Sequence, residues 1–275
     1  MSVVATDYTI DELISVCIAR QVTDSEVLAQ GISTPLVMAG YLLAKHTHAP
    51  DVSFASAIGN ALVEEPGAVG LAQVEALWLD HAVMLFGFAQ AACEYLPRLQ
   101  PKEFFRPAQV DPAGNFNNVY FGADYAKPRM RLPGCGGIAD VTSYYDHIYL
   151  YVPRHSRAVF VPQLDFISGL GHSEARLLGA GPCYLISDLG QFDYADGCMR
   201  LISCHPGVTQ EKVQAKTGFP LEVVPDLGET EPPTTEEVTL LRQVIDPLGV
   251  RRLETLRGAA RKRALREILA AEGVL

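Results

Sequence analysis

Glu26-Val27-Leu28-Ala29-Gln30-Gly31 and, twenty residues after that glycine, Asp51-Val52-Ser53-Phe54-Ala55-Ser56 are two short apolar stretches separated by a helical pattern. The first reads as a strand running into a glycine turn. Pro35 stands where a first helical turn tolerates proline, ahead of a helix over 36–45. The second stretch is a strand that ends near Gly59. Strand, helix and strand in this order predict a βαβ unit, and parallel sheets present their chemistry at the C-terminal ends of their strands. A helix over 10–20 precedes the unit. There Ile10, Leu13, Ile14, Cys17 and Ile18 recur at three and four, with Thr9 placed to cap and Glu12 placed to complete a capping box.

Further along, residues 75–96 carry apolar side chains nearly all round and no proline, which predicts one or two buried helices broken near Gly87. A strand over 104–110 runs into the turn Asp111-Pro112-Ala113-Gly114-Asn115. The apolar runs 148–152, 158–161 and 183–187 predict three more strands. Residues 191–194 and 199–203 alternate around Ala195-Asp196-Gly197, the pattern of a hairpin. A helix over 209–217 has Thr209 at its cap and Gly218 at its end, and residues 225–233 read as an acidic, proline-rich linker. Helices are expected over 236–244 and 251–269, the second amphipathic through Leu253, Leu256, Ala260, Leu265 and Ile268. The expected fold is α/β: an open, mainly parallel sheet flanked by helices, with a small antiparallel portion and a C-terminal helical tail. Its expected divisions are a main domain over 1–224, a linker over 225–235 and C-terminal helices over 236–275.

The chain has 275 residues, 48% of them hydrophobic, enough for a sizeable core. Its 22 basic and 32 acidic side chains leave a formal charge of -10, which argues against a surface built to neutralise nucleic-acid phosphates. The only basic region is the last, with Arg251, Arg252, Arg257, Arg261, Lys262, Arg263 and Arg266. Such a helix reads as a solvated face or a partner-docking arm. No stretch has the length and apolarity to span a bilayer, and the first residues lack the order of a secretory signal, so no membrane role and a cytoplasmic location are expected. Cys17, Cys93, Cys135, Cys183, Cys198 and Cys204 follow no regular spacing, as suits reduced thiols.

Generic catalytic signatures mostly fail. His46 and His48 have a chelating spacing but no carboxylate or cysteine partner nearby, and no metal site is expected. His172 and His205 lie in expected loops, where a hydrogen-bonded structural histidine is the commoner outcome. There is no nucleophile elbow, Walker loop or dinucleotide fingerprint. Three local patterns are more specific together. The first runs from Gln109 through Asn115 to Asn117. In the second, Gly134-Cys135-Gly136-Gly137, missing side chains leave backbone N–H groups free to converge on an oxyanion or phosphate. The third runs from Val161 to Gly169, followed by Gly171-His172 and Leu185-Ile186-Ser187-Asp188-Leu189-Gly190.

In this order and at these separations the patterns resemble the β subunit of the class I CoA-transferase family, the glutaconate type in particular. His48-Ala49-Pro50-Asp51, Cys204-His205-Pro206-Gly207-Val208 and Ile245-Asp246-Pro247 add to the match, which covers about 10–247. The resemblance implies an α-type partner subunit of similar fold in a heterodimer or heterotetramer, and an acyl-CoA bound between the two. Coenzyme A then enters as part of the substrate, and no tightly bound cofactor is expected. Family transferases use a glutamate in a Glu-x-Gly pattern after the strand placed at 52–56, whose carboxylate attacks the thioester. Here the pattern reads Ala57-Ile58-Gly59. Glu64 and Glu65 restore a carboxylate only if the loop differs. Relatives without this glutamate resemble two offshoots, ring-opening hydrolases of steroid-derived CoA thioesters and a decarboxylase of a methylglutaconyl-CoA-type substrate. In the hydrolase branch the base is implied on the α subunit. The decarboxylase branch needs only a cavity that stabilises a dienolate.

The site expected from these matches places Ser56, Ala57 and Gly59 at the reacting thioester. Gln109 and Asn115 line the cleft, and Gly134, Gly136 and Gly137 supply backbone donors to the CoA moiety. Hydrolytic ring opening or decarboxylation is the expected activity. An ordinary CoA transferase, or a non-catalytic scaffold for an active α chain, is the alternative.

Overall fold

The computed structural model describes residues 3–31, 34–56, 60–72, 76–174 and 176–275. The chain folds into two compact units, one of Met1–Glu103 with Pro232–Leu275, the other of Phe104–Glu231. In the first unit, helix α1 (Ile10–Ala19) opens with the expected capping box, Thr9 N donating to Glu12 Oε2 at 2.8 Å. Strand β1 (Val27–Ala29), helix α2 (Pro35–Thr47, proline in its first turn) and strand β2 (Ser53–Ser56) form the βαβ unit, with Ala29 paired to Ala55 in a parallel register. Strands β3 (Ala61–Val63) and β4 (Ala82–Leu85) extend this sheet antiparallel beyond β2. On the other side of β1 lies β5 (Lys102–Phe105), parallel, with Leu28 opposite Lys102 and Ala29 opposite Glu103.

Helices α1 and α2 approach so closely that only glycine fits at residue 40. A Cβ there would stand 2.6 Å from Ile18 Cγ2 and 2.7 Å from the Ser15 carbonyl oxygen. Leu13, Ile14, Ile18, Leu28, Tyr41 and Phe54 form the buried centre. The C-terminal segment belongs to this unit because it packs on α1 and α2. Arg251, 3% exposed, reaches Glu12 and Asp246, each at 2.9 Å, and its Nε lies 3.0 Å from Asp11 Oδ2 without the angle of a hydrogen bond. Arg242 adds a second contact to Glu12 at 2.7 Å, and Glu254 Oε1 accepts from Leu36 N in the first turn of α2.

Residues 75–96 depart from the expected buried helices. A short helix, Ala76–Leu79, gives way to β4, and helical structure resumes only at Phe88. Val83, Leu85 and Phe88 are 61%, 63% and 57% exposed, because β4 is the edge of its sheet and turns apolar side chains outward. The basic tail also divides. Its helix Gly258–Ala271 buries Ala264 and Ile268 and exposes Arg261, Arg263 and Arg266 as expected, whereas Arg251 is a core ion-pair residue.

In the second unit two small hairpins come first, β6 (Gln109–Val110) with β7 (Phe116–Asn117), and β8 (Tyr120–Phe121) with β9 (Met130–Arg131). The main sheet follows. Strand β10 (Ile148–Val152) pairs parallel with β11 (Pro182–Ser187), and the hairpin β12 (Gly190–Ala195) and β13 (Cys198–Cys204) turns through Asp196 and Gly197, both at positive φ. The run 158–161 makes only an isolated bridge, Phe160 to Val110, since β6 is two residues long and offers no further ladder. The expected linker instead supplies β14 (Glu222–Glu229), parallel to β13. Proline and acids are tolerated there because an edge strand leaves one row of backbone groups to solvent. The two compact units meet along the chain after Glu103 and after Glu231.

Removing the shared cation tests the charge cluster. Burial raises the pKa of Asp11 and of Asp246 against the pull of Arg251. Arg251→Met is expected to cost about 3–5 kcal/mol in urea unfolding near pH 7, and less at pH 5, where the stranded carboxyls take up protons.

Candidate functional site

Polar groups gather at the C-terminal ends of β1 and β2 and on the adjoining β5. Ser56 closes β2 and is 2% exposed. Gln30 continues the ladder past β1, its N–H donating to the Ala55 carbonyl at 3.1 Å. The side-chain oxygens Gln30 Oε1, Thr34 Oγ1 and Asn60 Oδ1 are all buried without a hydrogen-bond partner among the described residues. Buried oxygens left unbonded cost free energy, so several around one sheet end mark a place shaped for something other than packing. Ala57 and Gly59 lie outside the described residues.

Glu103 is the residue here that sequence reasoning missed. It sits on β5 opposite Ala29, which in turn sits opposite Ala55. It is 9% exposed, and burial pushes its carboxyl up to about 8. Among the described residues no hydrogen bond or ion pair reaches that carboxyl. The neighbouring Lys102 is engaged by Glu26 at 2.7 Å and by the Gln21 carbonyl. A lone acid inside the buried strand Lys102–Phe105, ahead of Phe104 and Phe105, was the available signal.

The second unit holds the other sequence candidates. Gln109 Oε1 accepts from Asn117 Nδ2 at 2.8 Å and from Asp165 N at 3.2 Å. Asn115 donates through Nδ2 to Asp111 Oδ2 and accepts at Oδ1 from Gly171 N at 2.8 Å. Both ends of Asn115 are thus spent on the turn that Gly114, φ +76°, makes possible. Gly134 and Gly137 have positive φ, and a Cβ at Gly134, Gly136 or Gly137 would meet nothing within 4 Å. The loop therefore keeps an open face. Gly134 N donates back to the Asn118 carbonyl at 3.1 Å.

The histidines are structural. His172 Nε2 contacts the Pro182 carbonyl, and His205 bridges Thr230 Oγ1 and the Ser187 carbonyl. His155 joins Ser187 Oγ to Thr217 Oγ1 and stacks on Phe160 at 3.6 Å. His46 and His48 are exposed, and the described residues contain no group of three or more His, Cys, Asp or Glu arranged to hold a metal. The described cysteines are all free, and no described helix is long and apolar enough to cross a membrane.

No family model matches the chain. It is nonetheless 32% identical over 255 residues to the β-type subunit of 3-oxoadipate CoA-transferase from Pseudomonas knackmussii, covering 86% of this chain and 92% of that one. The β-type subunit of glutaconate CoA-transferase from Acidaminococcus fermentans is 31% identical, covering 88% and 94%. The cholesterol ring-cleaving hydrolase IpdB subunit of Mycobacterium tuberculosis is 29% identical, covering 87% and 96%. Among solved structures, the decarboxylase AibA/AibB superposes with a TM-score of 0.79 at 29% identity, covering 90% of this chain and 98% of the matched one. The fold is thus that of the CoA-transferase enzymes. The chain belongs to the class I CoA-transferase family, as the β-type subunit of a heteromeric enzyme.

Burial holds His155 down at about 3 and His205 at about 4. Depressed histidine values favour folding fully above the unfolded value near 6.5 and less as pH falls toward the folded ones. Urea unfolding is expected to show stability declining from about pH 6.5 to about pH 4.5, with a shallower slope in His155→Gln.

Proposed function

We propose that this chain, with an α-type partner, acts on an acyl-CoA thioester by hydrolytic ring opening or decarboxylation, without a glutamyl-CoA intermediate. The observation that carries the reading is the tripeptide Ala57-Ile58-Gly59 following β2, where family transferases carry Glu-x-Gly. A methyl group cannot attack a thioester. The two branches of relatives supply precedents, one a ring-cleaving hydrolase subunit and one a decarboxylase. Coenzyme A enters as part of the substrate and leaves with product. The reaction is assigned to the cytoplasm, in keeping with the free thiols.

Within this reading the strand end at Ser56 faces the thioester, and the open loop Gly134, Gly136 and Gly137 offers backbone N–H groups to oxygens of the acyl-CoA. Asn115, consumed by Asp111 and Gly171, holds its turn instead of a ligand. Gly136 is the informative glycine, because its φ is ordinary and the space beyond its Cα is open, so a large side chain there is compatible with folding.

Incubating the heteromeric complex with glutaconyl-CoA and borohydride is expected to leave this chain's mass unchanged. Peptide mass spectrometry showing a glutamate reduced to the alcohol would restore the ordinary transferase. Gly136→Trp is expected to lower kcat/KM at least about tenfold with the heteromer intact on size-exclusion chromatography, about 1.4 kcal/mol of lost transition-state binding. Full activity in that variant would support the scaffold reading.

A further inference from the structure

We propose that Glu103 is the proton donor of the reaction: its carboxyl protonates the carbanion, held as a thioester enolate, that carbon–carbon cleavage leaves on the acyl-CoA. The inference rests on the reading of the chain as an enzyme without glutamyl transfer, and it names a group on this subunit that does the remaining chemistry.

Placement comes first. Glu103 stands on β5 next to β1, toward the end of a parallel ladder, where this architecture presents its reactive groups. The side chains in register with it are small, Ala29 on β1 and Ala55 on β2. Beyond Ala29 comes Gly31, and even an added Cβ there would only reach ordinary contact with Glu103 Oε1, at 3.8 Å. On the β1 side, then, no bulky side chain stands in register with the carboxyl.

Isolation comes second. Among the described residues nothing donates to the carboxyl, although the residue is 9% exposed. A buried carboxyl without a partner opposes folding, so it is a poor structural element and a good reagent. In the sheet order β5 stands between β1 and β10. Strand β1 brings Ala29 into register with Glu103, while Tyr149 of β10, with its ring 4.9 Å from that of Phe104, and Tyr151 two residues on lie on the face of Phe104, opposite to that of Glu103. Lys102 precedes it in the strand, so alternation turns that side chain to the opposite face, where Glu26 holds it. With burial raising the carboxyl to about 8, the acid form prevails at neutral pH.

The same proton transfer serves both candidate reactions. In decarboxylation the bond to the carboxylate carbon breaks, its electron pair enters the thioester enolate, and carbon dioxide leaves. In hydrolytic opening of a carbon ring, water adds to a ring carbonyl and the adjacent carbon–carbon bond breaks with the same electron flow. Either way the proton of Glu103 goes to carbon, and the carboxylate is reprotonated from water.

Running the step backwards tests it without the natural substrate. Crotonyl-CoA, the decarboxylated counterpart of glutaconyl-CoA, exchanges its γ hydrogens through a dienolate, and deuterium uptake by the heteromeric complex in D2O is read by mass spectrometry. The parent enzyme is expected to exchange. Glu103→Gln should slow exchange about a hundredfold or more with crotonyl-CoA binding unchanged, and Glu103→Asp should restore part of the rate. Because exchange uses the carboxylate form, the parent rate should rise with pH and level off above about 8. No exchange by the parent, or equal exchange by the Gln variant, overturns the proposal. If that variant does not assemble, a parent rate flat from about pH 6 to about pH 9 overturns it. Borohydride reduction of Glu103 itself would make it a nucleophile and remove both this role and the reading beneath it. Exchange retained in Glu103→Gln, with no glutamate reduced in the parent, removes this role alone.

Discussion

One guanidinium, that of Arg251, sits among three buried carboxylates, and the architecture of the first unit follows from that charge. Asp11 and Glu12 come from α1 and Asp246 from the C-terminal segment, so a single cation fastens the two ends of the chain together. Taking such charges out of water is costly, and only the full set of contacts offsets the cost. The set is divided: Glu12 is also held by Arg242, and its pKa is lowered despite burial, whereas Asp11 and Asp246 are raised. The arrangement fixes α1 against α2, and α2 is the crossover that sets β1 beside β2. The ends of β1 and β2 thus inherit their positions from a charge cluster in the helix layer.

The polar groups at those strand ends have the opposite character. Arg251 is surrounded by carboxylates, while Gln30 Oε1, Thr34 Oγ1 and Asn60 Oδ1 have no hydrogen-bond partner among the described residues. The fold thus gathers carboxylates around one buried cation in one place and leaves buried side-chain oxygens unbonded in another. Packing with small residues makes the second possible. Ala29, Gly31 and Ala55 keep space open where larger apolar side chains would add stability.

The βαβ unit, the capping box of α1 and the β12–β13 hairpin were legible because each is a local pattern, set by period, cap or turn chemistry. The family was legible because short motifs kept their order along the chain. What misled was periodicity read without tertiary context. Arg251 falls in an amphipathic pattern where arginines usually meet water, and its partners Asp11 and Glu12 lie at the opposite end of the chain, beyond any window. Residues 82–85 are apolar in the manner of a core, yet lie on an edge. Pro225 and its acidic neighbours look unable to fold alone, which is true, but β13 gives them a ladder. Glu103 was passed over because a strand's apolar pattern absorbs a single acid. In the candidate site the end of β2 at Ser56 was legible from the apolar run, whereas the bonds of Asn115 to Asp111 and to Gly171 were not, the second joining residues far apart in the chain.

The exposed side of β4 bears on how such a chain is made. Val83 and Leu85 face outward on a strand with a free backbone edge, beside Phe88. An uncovered apolar edge is a template for pairing with another copy of itself. A ribosome releasing this subunit faster than its counterpart would leave that template waiting. Matched synthesis of the two subunits then bears on solubility as well as on stoichiometry, through the exposure of this one strand.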